Sequence, residues 1–281
     1  MNRKVEITRT GRRTVDGAGV NLVRVLGNDT AEEFDPILML DSFDSIDPSE
    51  YIAGFPLHPH RGIETISYLS KGKMKHKDSI GNEDTITDGE VQWMNSGSGI
   101  THAEELPATD RMLGVQLWLN LPRAEKLSSP YYYRVSKSDI EEIPFDGGFV
   151  RLLAGSYDNH KGFSGEHLPL DYYDIHLAPN ATFTIDTKQD SSIMLFTLIG
   201  EINIEGEKIS EKTAVKLGEG DKLVINNRDR DSQVLFISSK KLGEPIAWAG
   251  PIVMNTKEEL KEAFDDLDRG TFIKEKMNYG N

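Results

Sequence analysis

Short apolar runs separated by turn signals dominate the first half of the chain. Asp-Gly at 88–89 and Ser-Gly-Ser-Gly at 96–99 are two of these turn signals. The apolar runs occupy residues 21–26, 37–43, 65–70, 91–94 and 115–121. Strand-length runs broken by turns are typical of a β-sandwich or β-barrel. The pattern therefore predicts an all-β domain.

The same pattern returns after about residue 134. Its apolar runs occupy residues 147–155, 171–179, 181–186, 193–206, 222–227 and 232–239. Residues 124–144 carry prolines and mixed polarity, which indicates a connector. A chain of 281 residues also suits about two domains at roughly 150 residues each. We therefore predict two β domains, residues 1–133 and residues 134–281.

Helical periodicity is clear in one segment, residues 255–270. Leu260, Phe264 and Leu267 recur at helical spacing. Asn255 stands where an N-cap is expected and Gly270 where a C-cap is expected. This segment predicts a short C-terminal helix that packs against a β domain.

Composition and charge exclude several classes of protein. A formal net charge of −14 opposes non-specific attraction to nucleic acid or anionic lipid. No apolar run is long enough to span a bilayer, and no signal-peptide core follows the basic N-terminus. The chain has no cysteine, which removes thiolate ligands and fits a reducing compartment. We expect a cytoplasmic protein, nuclear as well in a eukaryote, without direct nucleic-acid or membrane binding.

Candidate chemistry begins with the stretch GFPLHPHRGIE at 54–64. Side chains two residues apart on a strand share a face, so His58 and His60 would project together. Pro59 favours extended geometry for the residue before it. The competing interpretation is a pair of unrelated surface histidines, because a single H-x-H motif is a weak signal.

A second candidate pair lies in NSGSGITHAEE at 95–105, where His102 and Glu104 also share a face. Two such pairs on adjacent strands would converge on one point. Glu64 is a competing carboxylate, but on a straight strand its Cα would lie about 13 Å from that of His60. Gly62 could supply the bend that Glu64 needs. We therefore rank Glu104 first as the carboxylate ligand.

The resulting ligand set contains nitrogen and oxygen donors and no sulfur: His58, His60, His102 and Glu104. Such a set suits iron and tolerates manganese, nickel, copper or zinc. Four protein ligands around an octahedral ion leave two positions for water, dioxygen or a chelating substrate. His76 lies in the charged run KGKMKHKD at 71–78, where we expect a solvated side chain.

Several segments, in this order and spacing, carry a family resemblance: FDPILMLDSF, FPLHPHRGIETISYLSKG, NSGSGITHAEE, GVQLWLNLP, VRLLAGSYDNHKG and LGEPIAWAGPIVMNT. The chain resembles the pirin family of the bicupin superfamily over nearly its whole length. The resemblance implies two tandem cupin barrels, each a double-stranded β-helix or jelly roll, with a short C-terminal helix. It also implies one metal ion per chain, usually iron, in the N-terminal barrel.

The family's metal ligands fall on the four residues named above, and Glu104 would also be a candidate base. We expect four further residues to surround the metal or line its pocket: Glu64, Arg61, Phe55 and Trp93. Ile66, Met94 and Trp118 are additional candidates for the pocket wall. In the second half, Asp174 and His176 replace an H-x-H pair and no later histidine follows. The C-terminal barrel should therefore lack a metal.

The resemblance implies two kinds of function. The first is a dioxygenase that cleaves small aromatic substrates, flavonols such as quercetin, and we favour it. The alternative is a non-enzymatic, redox-sensitive regulator that contacts a transcription factor or a metabolic enzyme. A basic run could serve such a partner, although a solvated hairpin explains it more simply: Lys71, Lys73, Lys75 and Lys77.

Overall fold

A computed structural model describes residues 1–275 of the chain. The first twelve strands are β1 (Val5–Thr10), β2 (Arg12–Asp16), β3 (Val20–Leu26), β4 (Ile37–Ser45), β5 (Phe55–His60), β6 (Ile63–Lys71), β7 (Lys73–Asp78), β8 (Glu83–Thr87), β9 (Val91–Asn95), β10 (Ile100–Glu105), β11 (Met112–Asn120) and β12 (Tyr131–Val135). Short 3₁₀ helices span Asn28–Thr30, Pro48–Glu50 and Arg123–Glu125.

The later strands are β13 (Glu141–Phe145), β14 (Gly148–Ala154), β15 (Ser156–Tyr157), β16 (His160–Lys161), β17 (Leu170–Leu177), β18 (Thr182–Asp186), β19 (Ser192–Ile199), β20 (Ile202–Ile204), β21 (Glu207–Ile209), β22 (Thr213–Leu217), β23 (Lys222–Asn227), β24 (Ser232–Ser239), β25 (Ala247–Ala249) and β26 (Ile252–Met254). Helix α1 spans Lys257–Arg269. The predicted all-β class with a short helix near the C-terminus is confirmed.

The first barrel consists of a seven-stranded sheet, β12-β9-β6-β11-β4-β3-β2, and a four-stranded sheet, β5-β10-β7-β8. Its interior contains an apolar cluster that includes Phe43, Leu69 and Met112. Leu69 and Ser67 lie on the same face of β6 because strand side chains alternate between faces. The inner face of β6 therefore carries a polar residue, Ser67, next to the apolar cluster.

The second barrel repeats this construction. A seven-stranded sheet runs β1-β22-β19-β24-β17-β14-β13, and a four-stranded sheet runs β18-β23-β20-β21. Its buried cluster is apolar throughout and includes Val150, Ile175, Leu195 and Val234. The two predicted cupin barrels are thus present.

The two compact units are not continuous in sequence. The first contains residues 13–22, 37–137 and 242–275, and the second contains residues 1–12, 23–36 and 138–241. This division differs from the two continuous segments 1–133 and 134–281. Strand β1 pairs with β22, about two hundred residues away along the chain. Local hydrophobic patterns identify strands, but they do not identify such distant partners.

The predicted connector at 124–144 is wrong in part. Tyr131–Val135 forms β12 and pairs with β9. The three consecutive tyrosines in this segment suit a strand, because aromatic residues have high β propensity. Pro130 and Pro144 in the same segment favour a turn or loop interpretation instead.

The predicted helix is confirmed, but its N-cap is Thr256 and not Asn255. The Thr256 hydroxyl accepts a hydrogen bond from the backbone N–H of Glu259, and the Thr256 N–H donates to the Glu259 carboxylate. Gly270 ends the helix in the left-handed region. Phe264 is 38% exposed, whereas Ala263 is buried. Within residues 1–275, no helix has the length and apolarity needed to cross a membrane.

Candidate metal centre

Three histidines meet inside the first barrel. Strands β5 and β10 are antiparallel, and His102 lies directly opposite His58. The potential ligand atoms of His58, His60 and His102 all lie within 4.8 Å of one another. The ring centroids of the opposed pair, His58 and His102, are 4.4 Å apart. The three histidines therefore converge, as expected for strand side chains that share a face.

The turn after β5 depends on Gly62. Its φ is +79°, and a Cβ at this position would lie 2.0 Å from the carbonyl oxygen of Val253. This glycine turns the chain from β5 into β6, so Glu64 belongs to the next strand. It does not bend Glu64 back toward His60, as the alternative interpretation required.

Backbone carbonyls orient two of the imidazoles. The Nδ1–H of His58 donates to the carbonyl of Pro56 at 2.8 Å. The Nδ1–H of His60 donates to the carbonyl of Pro251 at 3.0 Å. Each bond fixes the tautomer in which Nε2 carries a lone pair. Both rings therefore present a ligating nitrogen to the centre.

The third imidazole is oriented by another histidine. His102 Nδ1 lies 3.4 Å from His76 Nδ1, and His76 Nε2 lies 2.9 Å from Asp78 Oδ2. If His76 donates to the carboxylate, its Nδ1 accepts from His102, which leaves His102 Nε2 with a lone pair. The expectation of a solvated His76 is wrong, because this side chain is 1% exposed and stacks on Tyr132.

Burial keeps His60 and His102 neutral. Desolvation, with the nearby His58, lowers the pKa of His60 to about 3. Desolvation, with the neighbouring histidines, also lowers the pKa of His102 well below its ordinary value. A neutral imidazole is the form that binds a metal ion.

Glu104 is buried beside the histidines but is not part of the group of converging ligand atoms. Its Oε1 accepts a hydrogen bond from Gln92 Nε2 at 2.8 Å, and its Oε2 accepts one from Gln116 Nε2 at 3.0 Å. Gln116 Nε2 also lies 3.2 Å from Ser67 Oγ. Two amide groups thus hold the carboxylate in place, and its role as a fourth ligand stays a prediction.

The residues present fit a metal ion. His102 Nε2 is buried and has no hydrogen-bond partner among the described residues. Buried polar atoms without partners are rare in proteins, and a neutral imidazole is a common metal ligand. His58 and His60 offer two further nitrogens within reach of the same point.

Glu64 and Trp93 point away from the centre. Gln92 reaches Glu104 inside the barrel, so its neighbour Trp93 occupies the opposite face of β9. Trp93 Nε1 donates to Glu64 Oε1 at 3.1 Å, and Tyr131 donates to the same oxygen at 2.5 Å. Both residues therefore stabilise the outer face of the sheet, and neither lines the site. Ile66 lies opposite Trp93 in the ladder and shares this outer face.

Phe55 lies on the inner side, as expected. A bulge in β5 places it opposite Glu104 and restores the face shared with His58. Phe55 packs against the apolar cluster of this barrel at 6.3 Å from the ring of Phe43. It therefore forms the apolar floor beneath Glu104.

Arg61 joins the centre to the C-terminal segment. Its guanidinium donates to the carbonyl of Ser98 at 2.7 Å and to Asp266 Oδ2 at 2.9 Å. It also donates to the carbonyl of Phe272 and lies 4.3 Å above that ring. Arg61 is 3% exposed, so its contribution is structural support behind His60.

Trp118 and Thr65 form a polar wall next to the histidines. The Trp118 ring lies 4.9 Å from that of His60, and Thr65 is its cross-strand partner. Within residues 1–275, Trp118 Nε1 and Thr65 Oγ1 are buried without hydrogen-bond partners. Sequence reasoning proposed Trp118 and Met94 as pocket walls but missed Thr65. The missed signal is a run of polar residues at inward positions of apolar strands: Thr65, Ser67, Gln92 and Gln116.

The basic run near the site is largely neutralised. Lys71 pairs with Asp88, Lys75 with Glu105 and Lys77 with Glu83. These exposed pairs offset the charges of three of the four lysines. A protein partner stays a prediction.

The second barrel has a different arrangement at the corresponding motif. His176 Nε2 lies 2.9 Å from Asp174 Oδ2, and the same carboxylate accepts hydrogen bonds from Gln233. Among residues 1–275, only the group in the first barrel brings three potential metal ligands together.

Comparison with known proteins agrees with two domains along the chain. The family model described as pirin matches residues 19–119, and the model described as the pirin C-terminal cupin domain matches residues 172–273. The chain belongs to the pirin family. The predicted family resemblance is therefore confirmed.

Full-length relatives of this pirin-family chain are found in bacteria and animals. It is 40% identical over 267 residues to a pirin-like protein of Caulobacter vibrioides, covering 93% of this chain and 96% of the relative. It is 34% identical over 273 residues to pirin of Homo sapiens, covering 95% and 92%. A crystal structure described as quercetin 2,3-dioxygenase from Acinetobacter baumannii has a TM-score of 0.89 at 30% identity, covering 97% of this chain and 99% of that one.

Proposed function

We propose that this pirin-family protein is a metal-dependent dioxygenase that acts on flavonol-type compounds such as quercetin. The observation that carries the proposal is the group of three histidines whose ligand atoms lie within 4.8 Å of one another, with the buried His102 Nε2 left without a hydrogen-bond partner among residues 1–275. The similarity to the Acinetobacter structure, which is described as a quercetin 2,3-dioxygenase, supports the substrate class.

Four residues would hold the metal: His58, His60, His102 and Glu104. Iron is our first choice because the donors are nitrogen and oxygen, and manganese, nickel, copper or zinc suit the same set. A bound divalent ion supplies a Lewis-acid and redox centre for adjacent oxygens of a substrate and for dioxygen. Each described ligand is already oriented by a hydrogen bond, so binding requires little rearrangement.

Glu104 is the candidate acceptor for a phenolic proton. Its two carboxylate oxygens are held by Gln92 and Gln116 inside the barrel. A general base works when its position relative to the transferred proton is fixed. The amide donors from two strands provide that positioning.

The polar wall would orient the substrate. Trp118 offers an indole N–H and an aromatic face near His60. Thr65 offers a hydroxyl from the opposite strand. A planar, hydroxylated aromatic compound could stack on the first residue and form hydrogen bonds with both.

Anaerobic reconstitution with iron(II) tests the proposal. Quercetin is added to the loaded protein without oxygen, its absorption spectrum is recorded, and oxygen is then admitted. We expect a spectral shift on binding, followed by oxygen-dependent loss of quercetin and release of carbon monoxide. A fully loaded protein that leaves a panel of flavonols unchanged would overturn the proposal.

Two histidine variants provide the matched comparison. His102→Ala removes a buried ligand and should abolish both metal retention and turnover. His160→Ala removes an imidazole that pairs with Glu141 in the second barrel and should preserve both. Turnover that survives His102→Ala would place the reaction elsewhere.

A further inference from the structure

One end of the second barrel contains a cavity of about 480 Å³. It lies where β17 begins and where β18 and β24 end. Small-molecule sites commonly occupy barrel mouths and measure about 300–1,000 Å³. The cavity is built entirely from residues 155–238 and is independent of the proposed oxygenase centre.

The cavity has an aromatic floor. The rings of Tyr173 and Phe236 stack with centroids 4.9 Å apart and planes 7° apart. Tyr157 meets Tyr173 edge-on at 5.5 Å and forms a side wall. Tyr173 and Phe236 are buried, whereas Tyr157 is half-buried and presents aromatic surface to the cavity.

Polar groups surround the floor. Asp171 and Tyr173 share a face of β17, and Ser238 and Phe236 share a face of β24, because strand side chains alternate. Asp171 Oδ1 accepts a hydrogen bond from the Ser156 N–H at 3.1 Å. Burial raises the pKa of Asp171, against the effects of that bond and of Lys188. The inward face thus changes from apolar core to hydrogen-bonding groups at the barrel mouth.

Charge restricts the class of ligand. Three carboxylates line the cavity, those of Asp158, Asp171 and Asp186, and they oppose an anionic ligand. Lys161 and Lys188 also line it and oppose a cationic one. A purely apolar ligand would cover the half-buried Asp171 and the buried Ser238 without forming hydrogen bonds with them, which is costly. A neutral ligand rich in hydroxyl groups satisfies all three constraints.

We propose that this cavity binds a neutral, hydroxyl-rich ring of the sugar or cyclitol class. The ring face packs on Tyr157, and its hydroxyls donate to Asp171 and exchange hydrogen bonds with Ser238. The second barrel is then a binding module attached to the metal-binding barrel.

Titration calorimetry and saturation-transfer NMR on the full chain test the proposal. The probes are D-glucose, D-galactose and myo-inositol, with D-glucuronate, D-glucosamine and cyclohexanol as anionic, cationic and apolar comparisons. We expect at least one neutral polyol to bind about tenfold more tightly than every comparison compound. No saturable binding of the neutral polyols, or equal binding of cyclohexanol, would overturn the proposal.

Matched variants locate the site. Asp171→Ala and Tyr157→Ala should each weaken binding about tenfold. Tyr157→Phe keeps the ring face, and Asp229→Asn alters an exposed turn between β23 and β24, so both should bind as the unaltered protein does. Circular dichroism verifies folding of each variant. Unchanged binding in folded Tyr157→Ala would exclude this cavity, and the Tyr157 pair remains decisive if Asp171→Ala does not fold.

Discussion

At the residue scale, the centre depends on which nitrogen of each imidazole is already occupied. His58 and His60 use Nδ1 on carbonyl groups, and His102 uses it on His76. The H-x-H spacing predicts that the first two rings share a face. The spacing carries no information about His76, because His76 and His102 lie on different strands and are 26 residues apart in sequence.

The chain from Asp78 through His76 to His102 predicts an effect on metal affinity. His76→Ala removes the group that orients the His102 ring, so we expect affinity to fall about 10–100-fold. Competition with a chromophoric chelator measures this loss. Lys77→Ala, on the exposed face of the same strand, is the control and should leave affinity unchanged. Equal affinities in the two variants would contradict the relay of hydrogen bonds.

The lowered pKa of His60 predicts acid sensitivity of the metal-free protein. Its folded pKa of about 3 lies below the unfolded value near 6.5. The unfolded chain therefore binds more protons between these values, and the free energy of unfolding should fall as pH drops through that window. The slope from one such group is about 1.4 kcal/mol per pH unit.

Urea unfolding of metal-free protein at several pH values measures this slope. His60→Gln should reduce the slope relative to the unaltered protein, whereas His160→Gln should retain it. A His60→Gln protein with the full slope would show that other groups cause the acid sensitivity.

At the element scale, the turn between β5 and β6 is fixed from behind by the C-terminal segment. Val253 donates its backbone N–H to the carbonyl of Arg61, and Arg61 reaches α1 through Asp266. Lys126 Nζ donates to the carbonyls of Gly62 and Val253 at 2.7 and 3.0 Å. The position of the H-x-H strand is therefore set by packing that involves distant residues.

Gly62 should be intolerant of any side chain. Gly62→Ala places a Cβ against the carbonyl of Val253 in a left-handed conformation, so we expect a loss of about 3 kcal/mol or more and weaker metal binding. Gly206→Ala is the matched control, because its φ is also positive and nothing lies within 4 Å of the added Cβ. Thermal or urea unfolding compares the two. Similar losses would mean that backbone strain dominates over the clash.

The ion pair between Arg61 and Asp266 should be worth far more than an exposed one. Their side chains are 3% and 14% exposed, and Lys274 also pairs with Asp266. Arg61→Met additionally removes the donor to the carbonyls of Ser98 and Phe272, so it should cost about 3 kcal/mol. Lys261→Met breaks an exposed pair with Asp265 and should cost less than about 0.5 kcal/mol. Urea unfolding gives both values. A small loss for Arg61→Met would show that α1 docks without this pair.

At the scale of the whole molecule, repeated strands and turns predicted two β domains, and the family resemblance implied that both are barrels. The H-x-H and I-T-H-A-E-E motifs predicted which domain carries the candidate metal ligands. Local patterns could not predict that β1 joins the second barrel, since its partner β22 lies far away in sequence. The sequence also placed Trp93 and Glu64 in the pocket. Strands β6 and β9 are buried on both faces, so their residue pattern does not show which face points into the barrel. His76 was misjudged because its charged neighbours face solvent while it alternates inward.

The single cluster of three potential ligands among residues 1–275 predicts one metal ion per chain. Elemental analysis of protein purified from its own host should give about one equivalent, because only the first barrel brings three suitable ligands together among residues 1–275. His102→Ala should lose the metal, and His176→Ala should retain it. Two equivalents, or loss of metal from His176→Ala, would place an ion in the second barrel.

The interleaving of the two units has a consequence for synthesis on the ribosome. Residues 37–137 emerge before residues 242–275, yet the carbonyl that orients His60 belongs to Pro251, and Arg61 has partners at Asp266 and Phe272. A nascent chain therefore exposes the H-x-H strand before its supports exist. We therefore expect the proposed metal site to form late, once the polypeptide is complete.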